Sequence, residues 1–379
     1  MPNFDYIIIG AGASGLLLAD TLGNDAFFTK KSILILDKDL KNTNDRTWCF
    51  WERGNGDFDA ITYKTWRHIF FAGKQLRQTT TIHPYRYKMV RGIDFYEHYQ
   101  SKLKQYPNII VRHEEVLSVA QKSDFATVHT TSSVYHTPQV FTSIFDYKNL
   151  KKNSQYPILQ QHFLGWVVKT EKPIFNPDEA TFMDFSIPQK GNTRFMYLLP
   201  FAANQALVEY TLFSETPLER QEYENAIKTY LTTKDSGAYE ILETETGSIP
   251  MTCYNFHQHN SANIVHIGIA GGWAKASTGY TFMKTNQNVK KLAHHLKKGR
   301  KAIDFKTKNR FWFYDLLLLD ILYKHNHLGR SIFESLFKMH KPQLVFKFLD
   351  EKTNLFEEIK IMSAPSPLPF IKALLARIF

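Results

Sequence analysis

The hexapeptide Gly10-Ala11-Gly12-Ala13-Ser14-Gly15 follows directly on the apolar run Tyr6-Ile7-Ile8-Ile9 and opens an apolar helix, and a second apolar run, Ile33-Leu34-Ile35-Leu36, ends in Asp37. Glycine-rich turns are common, but this one has a strand before it, a helix after it and a carboxylate 22 positions beyond Gly15. That context makes it a nucleotide-binding βαβ unit. Gly10 permits the tight turn, Gly12 lets the backbone reach a pyrophosphate, and Gly15 lets helix and strand pack closely. Ala11, Ala13 and Ser14 complete a loop whose helix N-terminus offers free N–H groups to an anion. Asp37, with Lys38 beside it, is placed to take the ribose hydroxyls. The N-terminal part is thereby committed to an α/β, Rossmann-like fold.

At 379 residues the chain is long enough for two or three structural units. Its 47 basic and 36 acidic residues leave a formal charge of +11, which suits anionic ligands, nucleic acid or an acidic membrane surface. Basic residues are not gathered into a block, so a nucleic-acid-binding tail is not expected. The 30 Phe, 19 Tyr and 6 Trp suit a large apolar cavity and equally a phenylalanine-rich core. Cys49 and Cys253 are the only cysteines, too few for a disulfide framework or a metal cluster, and no metal is expected. Neither a leader peptide nor an apolar run long enough to span a bilayer is read. Contact with a membrane would be monotopic, and the expected location is peripheral, on the cytoplasmic face.

Beyond the βαβ start, residues 44–52 read as a turn-rich connection and residues 61–89 as short strands. Residues 94–106 have helical spacing, 126–136 read as a hairpin, and 139–146 as a strand returning to the nucleotide domain. Residues 162–215 alternate apolar and polar positions, as a sheet with one covered face does. An amphipathic helix is read over 217–230, and Gly247-Ser248-Ile249-Pro250 closes the region. A strand at 263–268 then leads into a second glycine-rich junction, Gly268, Gly271-Gly272 and Thr278-Gly279. The spacing predicts helices over 289–296, 312–323, 329–339 and after Pro369. Residues 311–322 are apolar almost all round, the pattern of a helix buried under others or of one dipping into lipid. The expected organisation is a discontinuous nucleotide-binding domain (1–60, 90–155 and 260–300), an inserted antiparallel β-sheet substrate domain (61–89 and 156–259) and a helical C-terminal region (301–379).

The chain lacks G-x-S-x-G, H-E-x-x-H and a P-loop lysine, which removes serine hydrolase, zinc peptidase and P-loop kinase chemistry. The late glycine junction favours a flavin over a nicotinamide as the resident ligand, because such a helix N-terminus stabilises negative charge on a reduced flavin.

Asp45-Arg46-Thr47-Trp48-Cys49-Phe50-Trp51-Glu52 resembles a segment of the lycopene cyclases, flavin-dependent carotenoid enzymes of bacteria and plants. Arg194 to Pro200 followed by Leu207-Val208-Glu209-Tyr210-Thr211 is similar to that family's sheet segment with its Glu-(Asp/Glu)-Thr signature. Gly272 to Tyr280 is similar to its Gly-x-x-His-Pro-(Ser/Thr)-Thr-Gly-Tyr segment, and the likeness runs from Tyr6 to about Leu374. Two positions depart from it: Tyr210 replaces the second acid, and Lys275-Ala276 replaces His-Pro. The resemblance implies an FAD/NAD(P)-binding Rossmann-like domain and FAD active in its reduced form, with NAD(P)H as reductant. It also implies lycopene as substrate, its psi-ends closed to beta-ionone rings with no net redox change. Gly268, Gly271, Gly272, Thr278 and Gly279 join the early glycine loop in flavin binding. Arg46, Thr47 and Trp48 frame the flavin or form a structural loop. Trp51 and Glu52 line the pocket, and Asp184 either matches a family acid or holds the sheet.

Lycopene has no polar handle, so an apolar tunnel must recognise it, and its cyclisation needs an acid, a stabilised cation and exclusion of water. Glu209 is the candidate acid. On a strand it shares a face with Leu207, Thr211 and Phe213, and burial there keeps a carboxyl protonated. The alternative for Glu209 is a solvent-facing strand carboxylate with no role; for the whole protein the alternatives are an FAD-dependent monooxygenase or oxidoreductase acting on a large apolar substrate, or a non-catalytic carotenoid-binding flavoprotein.

Overall fold

The computed structural model describes residues 4–147, 150 and 154–378. The chain begins with β1 (Tyr6–Ile9), α1 (Ala13–Gly23) and β2 (Ile33–Asp37). β3 (Thr47–Arg53), β4 (Lys64–Trp66), β5 (His68–Ala72), β6 (Arg77–Thr81) and β7 (Tyr85–Arg91) come next, before α2 (Gly92–Leu103) and β8 (Ile109–His113). β9 (Val116–Gln121), β10 (Ala126–Thr130) and β11 (Val134–Thr137) form a meander that leads into β12 (Gln139–Thr142). Four strands follow, β13 (Ile158–Thr170), β14 (Glu179–Asp184), β15 (Thr193–Ala202) and β16 (Gln205–Ser214), then α3 (Arg220–Thr233) and β17 (Tyr239–Thr252). β18 (Ile264–His266) and α4 (Phe282–Lys297) precede the helices α5 (Phe311–Lys324), α6 (Gly329–Met339), α7 (Pro342–Leu349), α8 (Leu355–Met362) and α9 (Pro367–Ile378).

A parallel sheet in the order β18-β12-β1-β2-β8 carries the nucleotide-binding unit. Its inner strands β12, β1 and β2 are apolar on both faces because both are covered. Ile8, Ile33 and Ile35 pack against α1, α2 and α4, while Ile7, Ile9, Leu34 and Leu36 meet Val128 and Tyr135 of the meander. The glycine loop is built by close approach. Gly10 sits at φ +98, and a Cβ on Gly15 would lie 1.9 Å from the carbonyl oxygen of Gly10, so only glycine lets α1 start there.

The second sheet has the order β17-β13-β16-β15-β14-β5-β6, antiparallel except for the β14–β5 pair. Alternation divides its two faces. Leu164, Trp166, Leu198, Val208 and Leu212 pack under α3, whereas Leu159, Phe195, Leu207 and Phe213 belong to a core shared with α5, α6 and α7.

Three expectations change. The segment read as turn-rich holds a strand, β3, paired with β7 through Trp48↔Val90 and Trp51↔Tyr87, because its aromatic residues suit a half-buried pleat. Residues 47–53 and 85–91 therefore form a small sheet with β4, separate from the parallel one. Gly247 to Pro250 lies inside β17, an edge strand, where proline is tolerated because its missing N–H faces outward. The C-terminal region also contains α7 and α8, the latter opened by a capping box between Asn354 and Glu357.

Of the two readings for residues 311–322, the buried helix holds: Phe311, Leu316, Leu319, Ile321 and Leu322 are all buried in α5. Among the described residues, no helix is long and apolar enough to cross a membrane. Residues 148, 149 and 151–153, within the segment expected to close the nucleotide domain, lie outside the described residues.

Candidate active site

A cavity of about 460 Å³ lies between the carboxyl ends of the parallel strands and the α5-side face of the second sheet. Ligands of open α/β sheets bind at this place, where strand order reverses around β1. Gly12, Ser14, Ser143 and Gly268 form the nucleotide-side wall, Leu207, Glu209, Thr211 and Phe213 the opposite wall, and Arg46, Thr47 and Trp48 bridge them.

At the nucleotide end, Gly12 is the N-cap of α1 and a Cβ there would meet nothing within 4 Å, so the first-turn amides open onto free space. Asp37 accepts from the Ala11 N–H at 2.5 Å and from the Asp39 N–H at 2.9 Å, which fixes its carboxylate under the loop. Gly10, Ala11, Gly15 and Asp37 thus support the loop, while Gly12, Ala13 and Ser14 line the cavity. Lys38 turns away to Glu115, 2.9 Å distant. Arg46 lies against Asp45, with Nη2 2.9 Å from the carboxylate. Trp48 stacks on Phe282 with ring centroids 5.1 Å apart.

From the late junction, Gly268, Thr278 and Gly279 face the cavity; Gly271 and Gly272 line a separate hollow with Phe256 and Trp312. Thr278 Oγ1 and Gln161 Oε1 are buried on the cavity wall without a hydrogen-bond partner. Buried polar atoms are normally paired, so these two fit a polar ligand in the cavity.

The opposite wall carries the acid. Glu209 is 7% exposed, and the Thr211 hydroxyl donates to its Oε1. Glu245 of β17, a residue missed in the sequence, faces the same space. Both carboxyl-bearing residues are paired in register with Gly165 of the strand between them, and a Cβ on Gly165 would sit 3.4 Å from the side-chain carbons of each. Glycine is what lets the two carboxyls meet. Thr47 Oγ1 donates to Glu245 Oε2 at 2.8 Å. Burial first, and then the charge of the other carboxyl, pushes Glu209 well above the usual carboxylate range. Burial raises Glu245 as well, opposed by the Thr47 hydroxyl.

Aromatic rings complete the lining. Tyr87 and Tyr197 share a hydrogen bond of 2.6 Å, and Phe163, Phe182, Phe195 and Tyr280 surround them. Burial pushes the phenols of Tyr87, Tyr197 and Tyr280 and the Cys49 thiol upward, so these stay neutral.

Other sequence candidates fall elsewhere. Tyr210 points to the α3 side, where Arg194 Nη1 donates to its hydroxyl at 2.7 Å. Asp184 is on that side too, accepting from Tyr230 at 2.9 Å and from the Ser186 N–H at 2.9 Å, which is the sheet-holding arrangement. Trp51 stacks on Phe346 with centroids 4.6 Å apart and donates to Asp350, and Glu52 pairs with the buried Lys88 at 2.7 Å; neither lines the cavity. Lys275 is buried and bound to Asp315 at 2.9 Å, tying the late loop to α5.

Solved structures share this fold. A flavoprotein/dehydrogenase from Cytophaga hutchinsonii is 12% identical with a TM-score of 0.63 over 100% of this chain and 99% of its own. A geranylgeranyl bacteriochlorophyll reductase-like protein from Thermoplasma acidophilum is 11% identical with a TM-score of 0.61, covering 98% of each. A lycopene beta-cyclase from a Paracoccus species is 25% identical over 144 residues, a stretch spanning 37% of this chain and 37% of that enzyme. The profile of the family described as lycopene cyclase protein matches residues 5–375, nearly the whole length. The chain belongs to the lycopene cyclase family.

Proposed function

We propose that this protein closes the acyclic psi-ends of lycopene to beta-ionone rings, giving beta-carotene by way of gamma-carotene, through acid catalysis with no net redox change. The observation that carries this reading is Glu209: a buried carboxyl kept protonated, on an aromatic wall that faces a nucleotide-binding loop across one cavity. The Glu209 carboxyl gives its proton to C2 of the terminal double bond. The C5=C6 pair attacks C1, leaving a tertiary cation at C5, and loss of the C6 proton yields the ring. The rings of Phe163, Phe195, Tyr197 and Phe213 offer π faces to the cation and exclude water that would trap it.

FAD is the cofactor this reading assigns. The open amides at Gly12, the fixed Asp37 and the unpaired Thr278 Oγ1 fit it, and Ser14, Arg46, Gly268 and Gly279 would hold it alongside them. When bound and reduced, with NAD(P)H as electron source, it supplies negative charge beside the site.

Lycopene dissolves in lipid, so the reading places the protein peripherally on a membrane, on its cytoplasmic face. Leu355, Phe356 and Ile359 of α8 and Leu368, Ile371 and Leu375 of α9 are exposed, which supports an apolar contact surface there.

Expression in cells that accumulate lycopene, followed by separation of the pigments, tests the reading. Beta-carotene or gamma-carotene is the expected product. Unchanged lycopene contradicts it: pigment bound without conversion would make the protein a carotenoid carrier, and stoichiometric consumption of NADPH and oxygen would make it a monooxygenase.

A further inference from the structure

Beyond the single acid, and resting on the cyclisation reading, we infer that Glu245 is the proton-sharing partner of Glu209: the pair holds one proton between two carboxyls, with Glu209 the protonated member and Glu245 the ionised one.

The geometry comes from three adjacent strands. Glu209 on β16 and Glu245 on β17 oppose the same residue of β13, Gly165, and both line the cavity. The glycine leaves no side chain to separate them, so the two carboxyls interact directly. Two like charges this close resist ionising together, so the last proton leaves the pair only at higher pH or when a positive charge faces it. The surroundings assign it. The Thr47 hydroxyl donates to Glu245 at 2.8 Å and favours a charged Glu245 more than the Glu243 charge opposes it, with the Glu209 carboxyl and, least, the Arg46 guanidinium adding to the Thr47 side. Glu209 is more deeply buried and has only the Thr211 hydroxyl for support. Cys49 and Tyr280 also face the pair, and burial keeps both neutral.

The arrangement balances the reaction. Glu209 transfers its proton to the substrate while the pair goes from one negative charge to two, facing a cation of one positive charge. The C6 proton then returns to the pair, which regains its single proton and its single negative charge. No oxidant or reductant enters these steps. Glu245 acts through Glu209 and is a positioning residue for the proton, so its test needs a readout that simple packing would not move.

The pH–rate profile of the flavin-loaded, full-length enzyme on lycopene in lipid vesicles is that readout. Loss of the Glu245 charge makes Glu209 easier to ionise. Glu245→Gln should therefore move the alkaline limb down by about one pH unit and lower kcat about tenfold to a hundredfold, with KM little changed. Glu245→Asp should restore most of the rate. Thr47→Val, which removes a donor without touching either carboxyl, should move the acid limb upward, because Glu245 then ionises less readily. If Glu245→Gln and Thr47→Val both leave the limbs in place, with flavin absorbance showing the cofactor bound, the pairing is wrong while Glu209 as acid stands. If Glu245→Gln fails to fold, the Thr47→Val profile decides alone. If Glu209→Gln itself still forms beta-carotene at the wild-type rate, the underlying cyclisation reading fails first.

Discussion

The two faces of the seven-stranded sheet are made from alternate residues of the same strands and treat polar groups in opposite ways. On the α3 face each buried polar side chain has a partner: Arg194 meets Tyr210 and Glu222, Asp184 meets Tyr230, and His162 is held by Tyr223 at 2.6 Å and Ser214 at 2.7 Å. Burial lowers His162 to about 4, so it stays neutral and structural. On the cavity face, Gln161 Oε1 has no partner and two carboxyls are turned toward each other. A satisfied buried network rigidifies a core, whereas an unsatisfied one marks a place where a ligand completes the set. The difference separates a face whose polar groups satisfy one another from a face with polar groups left for a ligand.

Substitutions on the two faces of β16 and on its neighbour β13 should tell the two faces apart. The largest effect is expected from Glu209→Gln, which should lower cyclisation by about a hundredfold or more while flavin absorbance and melting temperature are kept. Next, Gly165→Ala should cost about ten- to a hundredfold in kcat. Its methyl would enter between the carboxyls, 3.0 Å from Leu207 Cδ1, and misplacement of reacting groups is costly. On the opposite face, Tyr210→Phe should leave turnover within about twofold but lose ~1–3 kcal/mol of stability in denaturant unfolding, because the buried Arg194 loses an acceptor. Tyr210→Asp, which restores the acid of the family signature, should give no gain in rate, since that position faces α3. Any gain in turnover from it would show that the two faces are not separated as described.

The smallest effect is one of pH on stability. Glu209 has a raised value in the folded protein, so its contribution is present below the unfolded carboxyl value and is lost as pH rises through the folded one. Wild type should therefore lose stability relative to Glu209→Gln as pH rises from about 5 to about 9. Unfolding curves at the two pH values measure this, and parallel curves would contradict the burial of an ionisable acid.

Much of this was legible from residue order. The glycine loop with Asp37 announces the parallel sheet because its chemistry is local: strand, turn, helix and carboxylate occur within one short segment. Glu209 stood out through the likeness to the Glu-(Asp/Glu)-Thr signature, and two-residue periodicity with Leu207, Thr211 and Phe213 marked the face on which it is buried. Glu245 did not. Its strand contains Gly247 and Pro250, which read as a turn, and only the pairing with β13 shows an edge strand tolerating both. Nor does any local pattern reveal that Gly165, far away in sequence, leaves room for two carboxyls. Gly271 and Gly272 resemble Gly268 and Gly279 in sequence, yet the turn between them directs one pair into another hollow. The hydrophobic pattern of residues 311–322 likewise served a buried helix and an interfacial one equally, and the partners contributed by the sheet decided between them.

Proton donation from Glu209 to lycopene is open to an isotope-transfer measurement. Flavin-loaded enzyme equilibrated in deuterium oxide should produce beta-carotene carrying one deuterium at C2 of each ring, with no stoichiometric consumption of NADPH, and Glu209→Gln should produce essentially none. Rings formed without solvent deuterium, or labelled rings formed undiminished by the Glu209→Gln enzyme, would contradict the account.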